Sequence, residues 1–197
     1  MEVTLIDSPV ANVANIARAL RAAGATLDVT RDPATIARAS KLVLPGVGSF
    51  IAAMEWLQAN GIDAALHAAV AGGASLLGIC VGHQLLFDAS HEMGLTRGLG
   101  FLRGEVRRYE TPLPVPQIGW NRIRASSPLF DGIADATSFY FVNSYAAFNA
   151  PCEVARGDYG GPFTAAAQQG RVFGVQFHPE KSSTAGLQVL RNFIVWT

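Results

Sequence analysis

Three short stretches carry residues whose types and spacing suit covalent chemistry. The first is Leu77-Gly78-Ile79-Cys80-Val81-Gly82-His83-Gln84. An apolar run leads into a cysteine, and a helix-forming run follows. Such an elbow puts the sulfur at the carboxyl edge of a sheet, where open α/β sheets bind ligands. Gly78 and Gly82 leave room for the tight turn and for a substrate. The helix N-terminus favours thiolate over thiol. The N–H of Val81 then points toward an oxyanion formed at the substrate carbon. The competing reading is a small buried core cysteine. The second stretch is Gly174-Val175-Gln176-Phe177-His178-Pro179-Glu180. Residues two apart on an extended chain point the same way, and Pro179 restricts His178 to that conformation. The imidazole can serve as base and acid, with the carboxylate fixing its tautomer. A lone histidine at a strand end otherwise reads as a satisfied surface residue. Paired with Glu180 and the cysteine elbow, it completes a nucleophile–base–orienter set. The third stretch is Pro45-Gly46-Val47-Gly48-Ser49-Phe50, where a peptide N–H can supply a second oxyanion donor. A nucleotide-phosphate loop competes, but no Gly-Lys-Ser/Thr follows.

These residues need a scaffold that delivers them to one edge. Residues 2–6 suit a buried strand. In 13–23, Val13, Ile16, Ala17 and Leu20 share a helical face, and Gly24 ends the helix. Residues 25–30 read as a strand, and Asp32-Pro33 offers an N-cap with proline at the first helical position. Residues 41–44 form another buried strand. Residues 51–71 hold one or two helices, broken near Asn60 and Gly61. Residues 75–79 form a strand and 81–89 a helix. This alternation implies parallel strands with helices on both faces. After Gly100 the texture changes. Runs near 103–109, 117–124, 137–145, 153–158, 163–169 and 172–177 read as strands, several antiparallel. Residues 184–196 have helical spacing at Leu187, Leu190, Ile194 and Val195. No repeat or linker interrupts the chain, so the expectation is one α/β domain over 1–197, three-layered, with a mixed, mainly parallel sheet.

Composition narrows the function classes. Half of the 197 residues are apolar, and fifteen Lys plus Arg balance fifteen Asp plus Glu. That excludes a disordered chain and argues against a nucleic-acid binder, which needs a basic excess. Two cysteines make no disulfide scaffold and suggest a reducing compartment. The start, MEVTLIDSPV, lacks the pattern of a signal peptide. The stretch between Asp63 and Asp88 has no charge, but His67, Ser75, His83, Gln84 and four glycines interrupt it, so it reads as helix, strand and helix rather than a membrane span. Cytoplasmic location is the expectation. His67 and His91 fall on helical stretches and read as solvated. Trp56 and Trp196 read as packing residues, and Cys152 as an unreactive loop thiol. Arg103, Arg107 and Arg108 make a local basic cluster that nothing nearby turns into a phosphate site, and they read as a solvated face or partner contact.

GICVGHQLL resembles the nucleophile elbow of the class I (triad) glutamine amidotransferases, and FGVQFHPE their His/Glu motif. Within that family the chain is most similar to the glutaminase subunits of imidazole glycerol phosphate synthase. That likeness spans nearly all 197 residues, through PGVGSF, VPQIGWN at 115–121, YFVNSY at 140–145, YGGPFTAA at 159–166 and GVQFHPEKSS at 174–183. The resemblance implies Cys80 as nucleophile, His178 as acid and base, and Glu180 as its orienter. It implies an oxyanion hole from Val47, Gly48 and Val81, and glutamine held by Gly46, Gln84, Ser144 and Tyr145. It implies no cofactor and no metal. The implied partner is a (β/α)8-barrel cyclase in a heterodimer, which receives ammonia through a channel. Asn12, Trp120, Tyr140 and Lys181 match positions that the family places at or near that interface. Four features depart from the family pattern: His83 where Met is common, Gln117 and Asn143 where His is frequent, and the start DSPVAN, which varies an aspartate–aromatic–glycine loop but keeps Asn12. They bear on how tightly turnover is coupled to the partner.

Overall fold

The computed structural model describes residues 1–9 and 11–196; Val10 and Thr197, within the expected 1–197 domain, lie outside the described residues. In chain order the elements are β1 (Glu2–Ile6), α1 (Val13–Ala22), β2 (Thr26–Thr30), α2 (Pro33–Arg38), β3 (Lys41–Gly46), α3 (Phe50–Ala59), α4 (Ile62–Ala71), β4 (Ser75–Cys80) and α5 (Val81–Leu85). Then follow β5 (Phe87–Ser90), β6 (Thr96–Arg97), β7 (Leu102–Arg108), β8 (Gln117–Ala125), β9 (Ser138–Asn143), β10 (Tyr145–Ala147), β11 (Glu153–Asp158), β12 (Pro162–Gln169), β13 (Val172–Val175) and α6 (Ser183–Val195).

The strands run in the order β2-β1-β3-β4-β13-β12-β10-β7-β5-β6, with β11, β8 and β9 branching from β12. Strands β2, β1, β3, β4 and β13 are mutually parallel. The order steps one way from β1 to β2 and back the other way from β2 to β3 and β4. Right-handed crossovers therefore send α1 to one face and α2, α3 and α4 to the other. The packing agrees, since α1 meets α6 while α2 meets α4 and α3 meets α4 and α5. Buried Val3, Leu5, Leu42, Leu44, Leu76 and Phe173 fill the core between the layers. From β12 onward the pairing is antiparallel along β12–β13, β10–β12 and β8–β9. The result is an α/β fold with a mixed sheet and helices on both faces.

Local chemistry accounts for most boundaries. Asp32 caps α2 by accepting from the N–H groups of Ala34 and Thr35, with Pro33 first in the helix. Gly61, at φ +66°, breaks the apolar run into α3 and α4. One expected element is corrected. The helix of 81–89 stops at Leu85, and Phe87–Ser90 is a strand that pairs parallel with β7. That pairing partner lies more than a dozen residues downstream, so no local breaker announces it. His91 consequently sits beyond a strand, not on a helix, and is exposed beside Glu105 at 2.8 Å. Glu105 also pairs with Arg107 at 2.8 Å, so one arginine of that cluster has a carboxylate partner.

Buried Lys41 is a second local surprise. Its Nζ donates to the carbonyls of Phe193, Ile194 and Trp196, closing the C-terminal end of α6 with a positive charge where the helix dipole is negative.

Candidate active site

Strands β4 and β13 are parallel neighbours in register, Ile79 opposite Val175. Their carboxyl ends therefore lie side by side, with Cys80 the last residue of β4 and His178 a short step past β13. Cys80 ends β4 with φ +55° and ψ −112°, a backbone region that costs a non-glycine residue about 1–3 kcal/mol. The turn is held by backbone packing. A Cβ on Gly82 would lie 2.0 Å from the Leu44 carbonyl oxygen, and one on Gly78 would lie 2.5 Å from the Gly82 oxygen. The room these glycines leave is taken up by α5 seated on β3 and β4, not by a substrate.

His178 lies past the end of β13, and its Nδ1 stands 2.8 Å from Glu180 Oε1. The expected extended run from His178 to Glu180 is corrected: residues Pro179–Lys181 form a 3-10 turn, which brings the carboxylate back to the ring. Ser182, fully buried, secures this arm. Its hydroxyl donates to the His178 carbonyl and accepts from the Tyr140 N–H, while the His178 N–H donates to the Tyr140 carbonyl. Burial by itself disfavours the imidazolium. The hydrogen bonds and negative charge of Cys80 and Glu180 outweigh it and raise His178 to about 10. The site thus favours the protonated imidazole of His178.

A cleft of about 380 Å³ opens over these groups. Its walls include Val47, Gly48, Cys80, Val81, Gln84, Ser144, Tyr145, His178 and Lys181. A slightly larger hollow, about 420 Å³, lies beneath Ser127, Asp131 and Asp135 and holds none of them. Gly46 is not among the residues that line the cleft. It packs against α5, where a Cβ would lie 2.8 Å from the Gly82 nitrogen. Glu92, which sequence reasoning missed, lines the cleft and accepts from the Phe50 N–H at the start of α3, 2.8 Å away. No pattern marks it, because the chain just before it reads as helix and not as the strand that leads into the β5–β6 loop.

The positions expected at an interface sit at the rim. Trp120 is exposed, and its ring meets Tyr140 edge-on at 6.0 Å. The Lys181 ammonium stands 5.7 Å from the Tyr140 ring centre. Exposed Ile118 extends this apolar face along β8. Asn12 caps α1 by accepting from the Asn15 N–H, and α1 packs against the Pro179–Lys181 turn. The departures lie deeper. Gln117 and Asn143 are register partners across β8 and β9, and both bond buried Tyr109. His83 is fully buried, edge-on to Phe87 at 5.0 Å, and burial pushes it down to about 3.

The family model of class I glutamine amidotransferases matches residues 4–196. A curated relative from Moorella thermoacetica, imidazole glycerol phosphate synthase subunit HisH, is 46% identical over 97% of this chain and 93% of its own length. The HisH subunit of Caulobacter vibrioides is 44% identical over 98% of both chains. Among solved structures, a glutamine amidotransferase superposes with a TM-score of 0.78 at 20% identity, covering 98% of this chain and 96% of that one. PurLQS from Thermotoga maritima gives 0.69 at 17%, over 98% and 97%. Those two share the fold. Taken with the cleft, the match over nearly the whole length places the chain in the class I glutamine amidotransferase family, and within it among the HisH subunits of imidazole glycerol phosphate synthase.

Proposed function

We propose that this chain hydrolyses glutamine through a thioester on Cys80 and passes the ammonia to a (β/α)8-barrel cyclase, its partner in a cytoplasmic heterodimer that serves histidine biosynthesis. The observation that carries the reading is the meeting of Cys80 and the hydrogen-bonded His178–Glu180 pair in one cleft, at the ends of two adjacent parallel strands.

The cycle follows from that arrangement. The Cys80 thiolate attacks the side-chain amide carbon of glutamine, and the amide oxygen becomes an oxyanion. The N–H groups of the Val47–Gly48 segment and of Val81 receive it. The His178 imidazolium gives its proton to the leaving nitrogen, the C–N bond breaks, and ammonia departs from a glutamyl thioester. Neutral His178 then takes a proton from water, which attacks the thioester. Glutamate leaves, and the thiolate and imidazolium are restored. Glu180 holds the ring with Nδ1 toward itself and stabilises its charge throughout. The Glu92 carboxylate suits the α-ammonium of glutamine, with Gln84, Ser144 and Tyr145 holding the rest of the backbone end.

The exposed Trp120, Ile118, Tyr140 and Lys181 face, with Asn12 nearby, is the surface proposed for the cyclase. There ammonia would react with an open-chain ribulosyl aminoimidazole-carboxamide nucleotide, yielding imidazole glycerol phosphate and aminoimidazole-carboxamide ribotide. The test is glutamate release from glutamine by the chain alone and with the cyclase and its nucleotide. Strong activation in the complex, abolished by Cys80→Ala, is expected. Turnover unaffected by Cys80→Ala, or none in a well-formed complex, would overturn the reading.

A further inference from the structure

Behind Cys80 runs a line of buried amides whose direction is fixed by a single group. The Tyr145 carbonyl can only accept a hydrogen bond. Gln84 must therefore present Nε2 to it, at 2.9 Å. The same Nε2 spends its other proton on Gln176 Oε1, at 3.0 Å. Gln176 has then no freedom to flip. Its oxygen is taken, so its Nε2 is the atom turned to Cys80, 4.0 Å from the sulfur. The other branch obeys the same rule. Asn143 Nδ2 donates to the Tyr145 carbonyl at 2.9 Å and to the Tyr109 hydroxyl at 3.1 Å. Tyr109, having accepted, donates onward to Gln117 Oε1 at 3.0 Å. Amide orientation is often ambiguous, but here one obligate acceptor settles it for Gln84, Gln176 and Asn143.

We propose that Gln176 is a donor to the reacting sulfur, its N–H turned toward Cys80 by a one-way chain of hydrogen bonds that starts at the Tyr145 carbonyl. Gln176 is fully buried, so no water competes for that N–H. A donor fixed before the reaction stabilises the anionic sulfur without reorganising, and long contacts of this kind tighten in the reacting complex. His178 serves the same sulfur but must surrender its proton in each turnover. Gln176 keeps its own, so it stabilises the thiolate while His178 is neutral. The chain also leaves Gln84 only Oε1 to offer the cleft, so Gln84 takes N–H donors from a ligand and rejects carboxylates. The inference rests on the reading of Cys80 as the nucleophile.

The test is the pH profile of Cys80 alkylation by iodoacetamide in the full chain. Peptide mass mapping separates Cys80 from Cys152, which serves as internal control. Titratable or charged groups lining the cleft are His178 and Lys181 from the β13–α6 turn, Glu92 from the β5–β6 loop and Tyr145 from β10; Glu180 stands behind the His178 ring, and His83 is buried within α5. None is altered by Gln176→Met, which keeps the volume and removes the donor. That variant is expected to move the Cys80 profile upward by about one pH unit, a tenfold loss of reactive sulfur at a fixed pH below the midpoint. Gln176→Glu, which keeps the acceptor for Gln84 but faces the sulfur with a carboxylate, is expected to move it further. Cys152 should not move. In the unaltered protein, the nitrogen-15 resonance of the Gln176 side-chain amide should shift with the same midpoint as Cys80 alkylation, a readout that needs no variant to fold. Profiles unmoved in folded variants, or an amide resonance that ignores the thiol, would overturn the proposal. Alkylation needs no glutamine. A displaced profile without glutaminase activity would sustain the donor and remove the glutaminase reading; activity with an unmoved profile would do the reverse.

Discussion

The nucleophile and the base reach the same cleft by opposite means. Cys80 is fixed by backbone against backbone: the strained turn persists because Gly78 and Gly82 let α5 sit directly on β3 and β4. His178 is fixed by side chains: Glu180 at its ring, Ser182 at its carbonyl, and a strand connection that carries no left-handed residue before Ser183. Steric placement is rigid and intolerant of added atoms, while hydrogen-bonded placement survives shape-conserving changes but answers to charge and pH. Substitutions on the first arm should therefore damage the fold outright, while shape-conserving ones on the second act on the chemistry and on the pH dependence of stability.

Gly82→Ala puts that division under the heaviest strain. A methyl 2.0 Å from the Leu44 oxygen has backbone on its far side and nowhere to go. Loss of stability of about 3 kcal/mol or more is expected, at the upper end of overpacking effects, seen as poor soluble yield or a much lower melting temperature. A melting temperature within a few degrees of the parent would show that the elbow is not sterically fixed. On the other arm, Glu180→Gln keeps the shape and removes the charge. Its expected cost is kinetic: kcat down roughly 100-fold or more, with KM little changed and the fold intact. A raised KM with kcat unchanged would point instead to a role in binding.

The side-chain arm should also show in pH. His178 is raised, so the native state holds a proton that the unfolded chain releases at ordinary histidine pH. Its contribution to stability is complete below about pH 6.5, and is lost as pH rises toward about 10. The melting temperature of the parent should fall more steeply over that window than that of His178→Gln. A milder change is expected at His83. Its depressed value means the unfolded chain takes up a proton that the native state refuses between about pH 6.5 and 3. Stability therefore falls as pH drops through that range, and His83→Met should flatten the fall by a few degrees at pH 4 to 5 while leaving pH 7.5 nearly unchanged.

The steric arm is the more legible in sequence. Glycines at 78 and 82, flanking Cys80 at the end of an apolar run, are a local pattern, and they place Cys80 on its turn without knowledge of any other strand. The base is legible as a residue type and spacing, but not as geometry, because the 3-10 turn at Pro179 depends on α6 closing over it: a Cβ on Gly186 would lie 2.0 Å from the Pro179 oxygen. The side-chain network is illegible. Gln176 stands in plain view within the His/Glu motif, yet its partner Gln84 is 92 residues away and their meeting requires β4 and β13 to be neighbours. Glu92 and Ser182 escape notice for the same reason. Phe87–Ser90 reads as helix because its strand character is conferred by its partners β6 and β7, not by its own residues.

The covalent step itself can be caught by rapid acid quenching of the chain with its cyclase partner, nucleotide and glutamine, followed by mass spectrometry of the cysteine peptides. A glutamyl adduct on the Cys80 peptide, formed and lost at rates compatible with glutamate release and absent from Cys80→Ala, is the predicted result. Glutamate release with no adduct at Cys80, or an adduct at Cys152 instead, would contradict the assignment of the nucleophile and the mechanism built on it.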